Sequence, residues 1–164
     1  MQESLKKLTR AGIIASLYAV ATLIVFPVAS GAIQFRLSEA LTLLPLLFIE
    51  AIPALFVGCL VSNIITGCAL IDVLLGSLIT LVSAILTFAV GKLIKKTWIR
   101  LTVGGLFPVL LNALILPLIW QYCYGAEYVY HIQVLFLLVG QSVSVYAVGV
   151  PLVLRFKKIF NKLA

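Results

Sequence analysis

The stretch over residues 71–96, IDVLLGSLITLVSAILTFAVGKLIKK, decides the fold. Between Asp72 and Lys92 no side chain is charged, and beyond Lys92 come Lys95 and Lys96. Wound as a helix rising about 1.5 Å per residue, such a run crosses the roughly 30 Å of hydrocarbon in a bilayer. A transmembrane strand would alternate apolar and polar side chains, which this run does not do. It therefore reads as a membrane-spanning helix with an acidic end and a basic end.

The rest of the chain agrees with that solvent. Of its 164 residues 63% are hydrophobic and 10% charged, and the mean hydropathy is +1.24, against about 45–50% apolar and 25% charged in soluble domains. A domain this small has too little interior to hide so much apolar side chain from water. A soluble fold is excluded, and the expected localisation is the cell membrane, crossed several times.

Charge orients the spans. Twelve Lys and Arg against five Asp and Glu leave a formal charge of +7. The cations gather at Lys6, Lys7 and Arg10, at Lys92, Lys95, Lys96 and Arg100, and at Arg155, Lys157, Lys158 and Lys162, with Arg36 apart. Basic residues near span ends mark the cytoplasmic side. Because they flank apolar runs, their natural contact is anionic lipid rather than nucleic acid. Breaks at 30–36, 50–53 and 67–72 supply Gly, Pro or charge where a helix would leave the membrane. The expectation is an all-α, single-domain bundle of six spans, near 8–29, 37–49, 52–66, 71–93, 101–120 and 132–154, with both termini cytoplasmic. The apolar run at 11–29 exceeds the 7–15 residues usual in a cleaved signal peptide, so it reads as a retained first span.

Polar side chains are costly in lipid, by about 2.5–3.5 kcal/mol for a charge at mid-span, so their depth is informative. Arg36 and Glu39 open the second span externally, Asn63 ends the third, and Asp72 begins the fourth. Asn112 and Gln141 lie deeper but in the same half, while Trp120 and Tyr130 stand beside the external loop. Amides, carboxylates and aromatic rings converging at one end suit a small, polar, planar ligand. Interhelical hydrogen bonds at Asn63, Asn112 and Gln141 are the competing reading, as is an i,i+3 pair of Arg36 with Glu39.

Other chemistry is missing. No GxxxxGK[ST] run cradles ATP phosphates, one His131 makes no multi-histidine centre, and no GxSxG supplies a nucleophile. Cys59, Cys68 and Cys123 lack CxxC spacing and read as packing residues. Neither an enzyme nor a cofactor or metal site is expected. In the first span Ala11, Ala15 and Ala19 recur every four residues, with Gly12 and Ser16 beside them, a face that admits a second helix closely, from this bundle or from a partner protein.

The residues IQFRLSEALTLLP at 33–45, AIPALFVGC at 51–59 and DVLLGSL at 72–78 resemble the QueT transporter family. The resemblance spans nearly the whole chain. It implies a substrate-capturing S component of an energy-coupling factor (ECF) importer, associated with queuosine precursors, which are 7-deazaguanine bases. It also implies partners, namely a transmembrane coupling subunit and two ATPase subunits, with the alanine face of the first helix docking on the former. Glu39 and Asp72 are then the expected acceptors for the base's ring N–H and amino donors and its cationic aminomethyl group. Asn63, Asn112 and Gln141 would meet the carbonyl and ring nitrogens, Trp120 or Tyr130 would stack on the ring, and the loop at 30–36 would close over it. An S component for another vitamin or nucleobase, or a structural membrane subunit without transport, remain the alternatives.

Overall fold

The computed structural model describes residues 2–29, 36–125 and 129–163, and among these every regular element is a helix. Helix α1 (Gln2–Ala29) is followed by a 3-10 helix (Leu37–Leu46), α2 (Ala51–Ile65), α3 (Leu70–Leu93) and α4 (Thr97–Tyr124). A last rod then runs through α5 (Tyr130–Ser142), a π segment (Val143–Gly149) and α6 (Val150–Leu163).

Four of these rods are long and apolar enough to cross a membrane: Gln2–Phe26, Leu70–Leu93, Thr97–Cys123 and Tyr130–Lys158. The expected second and third spans, 37–49 and 52–66, are not of that kind. The 3-10 helix has 10 residues and α2 has 15, so at about 2.0 and 1.5 Å per residue each extends only some 20 Å. The 3-10 helix differs also in what it touches: every residue from Ser38 to Leu46 is buried, while α1 shows Leu17, Val20 and Ile24 and α2 shows Val57, Val61, Ile64 and Ile65 to the outside. A core helix and a lipid-facing helix are equally apolar, so hydropathy does not tell them apart. The 3-10 helix is the bundle's central post.

Contacts at the ends fix the sense of each rod. Arg10 of α1 pairs with Glu50, just before α2, and its guanidinium lies 4.4 Å over the Phe48 ring. Arg100 of α4 donates to the carbonyl of Leu46, and Lys157 Nζ reaches Thr97 Oγ1 at 3.4 Å. All three basic clusters thus gather at one end, together with the foot of the 3-10 helix. Arg36, Cys68, Asp72 and Trp120 line one cavity at the other. Successive helical segments therefore alternate in direction, as the charge pattern implies.

Two close approaches draw the elements together. A Cβ on Gly58 would stand 2.8 Å from both the Ala15 carbonyl and Tyr18 Cβ, so α2 crosses α1 almost backbone to backbone. A Cβ on Gly149 would meet the Ala40 carbonyl at 2.7 Å, which seats the π segment against the 3-10 helix. The π segment has a local cause: Pro151 has no N–H to return to the carbonyl one turn earlier, and a widened turn absorbs the defect.

Candidate functional site

Asn63 and Asp72 are brought together by the turn between α2 and α3. The amide of Cys68 bonds the Asn63 carbonyl at 3.0 Å and that of Gly67 bonds Ile64 at 3.1 Å, with Gly67 left-handed at φ 73. This is a Schellman closure, which calls for a residue without Cβ at that position. The chain reverses at once, and α3 starts with Asp72 in its first turn, where the positive end of the helix dipole favours a carboxylate. One turn later the absence of a side chain at Gly76 leaves room for the Asn63 amide, whose Nδ2 would lie 3.4 Å from a Cβ there.

A cavity of about 100 Å³ opens at this point, lined by Arg36, Asn63, Cys68, Asp72, Gly76, Leu116 and Trp120. One wall is cationic, one anionic and one aromatic. Among the described residues the Asn63 Nδ2 reaches the Cys59 sulfur, at 3.5 Å, and a thiol sulfur is a weak acceptor. Its amide therefore keeps hydrogen-bonding capacity for a ligand.

Beneath the cavity lies a polar layer of different character. Glu39 is buried, with Tyr18 O–H donating to Oε1 at 3.0 Å and Asn112 Nδ2 to Oε2 at 3.2 Å. Its backbone carbonyl accepts from Thr42 Oγ1 at 2.6 Å, and Arg36 is within electrostatic reach of its carboxylate. Both carboxylate oxygens are thus engaged by the protein, tying α1, the 3-10 helix and α4 together. Gln141 sits in the same interior, fully buried. Among the described residues neither its Nε2 nor its Oε1 has a hydrogen-bond partner, and the Ser38 hydroxyl is likewise unmatched. A buried amide left so costs about 1–3 kcal/mol.

Of the expected site residues, Arg36, Asn63, Asp72 and Trp120 line one cavity. Glu39, Asn112 and Gln141 do not line it and lie deeper. Tyr130 is outside it, its hydroxyl on the Leu114 carbonyl at 3.2 Å and its ring edge-on to His131 at 5.5 Å. The alanine face is half-buried, with Ala11 and Ala15 packed on the core and the Ala15 carbonyl against Gly58, so α2 already occupies part of it. Gly12, beside it, faces open space. Of the loop expected to close the site, at 30–36, residues 30–35 lie outside the described residues, and Arg36 lines the cavity. Cys68, Leu116 and Tyr18 were not expected at the site. The tyrosine had a signal, as a polar tip inside an otherwise apolar span, but its partner is distant in sequence.

The described residues hold no cluster of three His, Cys, Asp or Glu able to bind a metal. Apolar rods around a small polar cavity near one end are the construction of a multi-pass membrane protein with a solute-scale site. The chain belongs to the QueT transporter family, whose model matches residues 8–158. That is a family of transporters rather than enzymes. The chain matches no curated protein and no solved structure.

Proposed function

We propose that this chain is the S component of an ECF-type importer, which captures a 7-deazaguanine queuosine precursor on the outer side of the membrane and hands it inward. The observation that carries this reading is the cavity in which Arg36, Asn63, Asp72 and Trp120 converge. A guanine-like base presents an exocyclic amino group, for which the Asp72 carboxylate is an acceptor. Arg36 and Asn63 serve its ring nitrogens, and the Trp120 indole offers a stacking face. Glu39 and Asn112 hold Arg36 and the post in position from below.

The basic end is cytoplasmic by the positive-inside rule, so the two termini lie inside and the cavity faces out. With no nucleotide-binding run of its own, the chain draws energy from a coupling subunit with two ATPases, and α1 with its small residues is the face offered to that subunit. A closed pocket keeps the base's polar groups from unpaired exposure to lipid as the bundle reorients.

The test uses the purified protein in detergent with Cys123→Ser, so that Cys68 in the cavity is the reactive thiol and Cys59 is buried. Bound 7-deazaguanine should slow maleimide labelling of Cys68. It should also raise the melting temperature, by the equivalent of about 2.7 kcal/mol at a hundredfold excess over Kd. Unchanged labelling and melting with 7-deazaguanine, alongside a response to another vitamin or base, would reassign the ligand. Silence across all of them would favour a structural subunit.

A further inference from the structure

The cavity is too small for its cargo. About 100 Å³ is roughly the share of three waters, whereas sites that enclose small organic ligands run from about 300 Å³ upward. A bicyclic base must therefore gain space in some direction when it binds, and two observations point the same way.

The first is the orphaned polar pair beneath the cavity. Gln141 and Ser38 are wholly buried, and among the described residues the Gln141 amide and the Ser38 hydroxyl have no hydrogen-bond partner. Buried polar groups in native proteins are satisfied almost everywhere, so each exception asks for a reason, an absent ligand being one. The second is their placement. Gln141 lies on the buried stripe of the last rod, with Gln133 and Leu137 before it and Ser144, Val145 and Gly149 after it. Leu137 shares an apolar cluster with Leu116, and Leu116 lines the cavity. Gly105 of α4 packs on Val145, and the last rod runs inward from Tyr130, so Gln141 lies deeper in the bundle than Leu116 and the cavity. Ser38 belongs to the 3-10 helix, two residues beyond Arg36 of the cavity wall and two before Ala40, against which Gly149 packs. The element that would have to yield is irregular there: a π turn begins at Val143, and such turns recur at functional sites.

We infer that the ligand site extends inward past Leu116 to Gln141 and Ser38, and that Gln141 is the residue that selects a lactam edge. A primary amide presents an N–H donor and a carbonyl acceptor side by side. Its complement is a cis-amide edge, N–H next to C=O, as on the six-membered ring of a 7-deazaguanine; Ser38 supplies a further hydroxyl contact. The empty protein carries the unsatisfied amide as the cost of selectivity, and the bound base relieves it. This rests on the capture reading above and adds to it which atoms of the base are read and by which residue.

The experiment compares binding of 7-deazaguanine with that of 2-amino-7-deazapurine, which lacks the oxo group and the adjacent N–H, to wild type, Gln141→Met and Ser38→Ala. Wild type should prefer the lactam by about tenfold or more, the equivalent of about 1.4 kcal/mol. In Gln141→Met the ratio should fall towards one, and in Ser38→Ala the affinity for 7-deazaguanine should drop while the preference stays. Without ligand, Gln141→Met should melt no lower than wild type, since methionine fills the space and leaves nothing unpaired. An unchanged ratio in Gln141→Met would overturn the inference while leaving the capture reading intact. A Gln141→Met protein that melts lower or fails to fold would also overturn it, because the glutamine would then be holding helices together. Wild type that binds neither compound would overturn both.

Discussion

Replacing Glu39 by glutamine separates a framework carboxylate from a ligand-contacting one. In the folded protein its two oxygens accept from Tyr18 at 3.0 Å and from Asn112 at 3.2 Å, in an interior closed to water. Glutamine keeps one acceptor oxygen but turns an NH2 towards the other donor. One charge-assisted bond is lost, worth about 1.5–3 kcal/mol, and Arg36 loses a nearby negative charge. A total of about 2–3 kcal/mol follows, which for a chain of this size lowers the melting temperature by roughly 4–12 °C. Thermal denaturation in detergent reads it directly. Tyr18→Phe should cost a similar amount, and the double variant should cost less than the sum, because the two changes remove one interaction. A Glu39→Gln protein as stable as wild type that no longer binds 7-deazaguanine would refute the reasoning and return Glu39 to the ligand.

Asp72→Asn should show itself in binding: affinity for 7-deazaguanine falls tenfold or more in a titration. Gly67→Ala forces a Cβ into the left-handed turn and should cost about 1–2 kcal/mol, read as a lower melting temperature. It should also weaken ligand binding by displacing Asn63 from Asp72. On α1, Ala15→Leu pushes against α2 and should destabilise by about 1–3 kcal/mol, whereas Gly12→Leu, facing open space, should leave melting unchanged. Loss of co-purification with the coupling subunit in Gly12→Leu would place the docking edge there. Cys123, exposed near the end of α4, should react with an impermeant maleimide added to intact cells. Labelling only after lysis would reverse the orientation.

Much of the site could be seen in the chain because lipid makes polarity expensive. Arg36, Asn63, Asp72 and Trp120 stand out against apolar neighbours, and their depth along the spans already places them at one end. Which of the polar residues touch a ligand could not be seen. Glu39 and Asp72 look alike in sequence, each opening a helical segment. Glu39 is claimed by Tyr18 and Asn112, residues 21 and 73 positions away in the chain, and no local pattern records that.

The amino-acid sequence by itself determines that this protein lives in a membrane, that its basic residues collect at one end and that its polar residues collect at the other. These follow from the properties of single residues: transfer into lipid depends on the side chain alone, and the positive-inside bias on its charge. Tertiary structure alone decides that residues 37–46 form a short buried post, that the alanine face of α1 is partly spent on α2, and that Gln141 is buried with no hydrogen-bond partner among the described residues. The reason is common to all three. A neighbouring helix and a lipid tail are equally apolar, so composition cannot tell them apart, and only packing settles which apolar surface meets protein and which polar atom is left waiting.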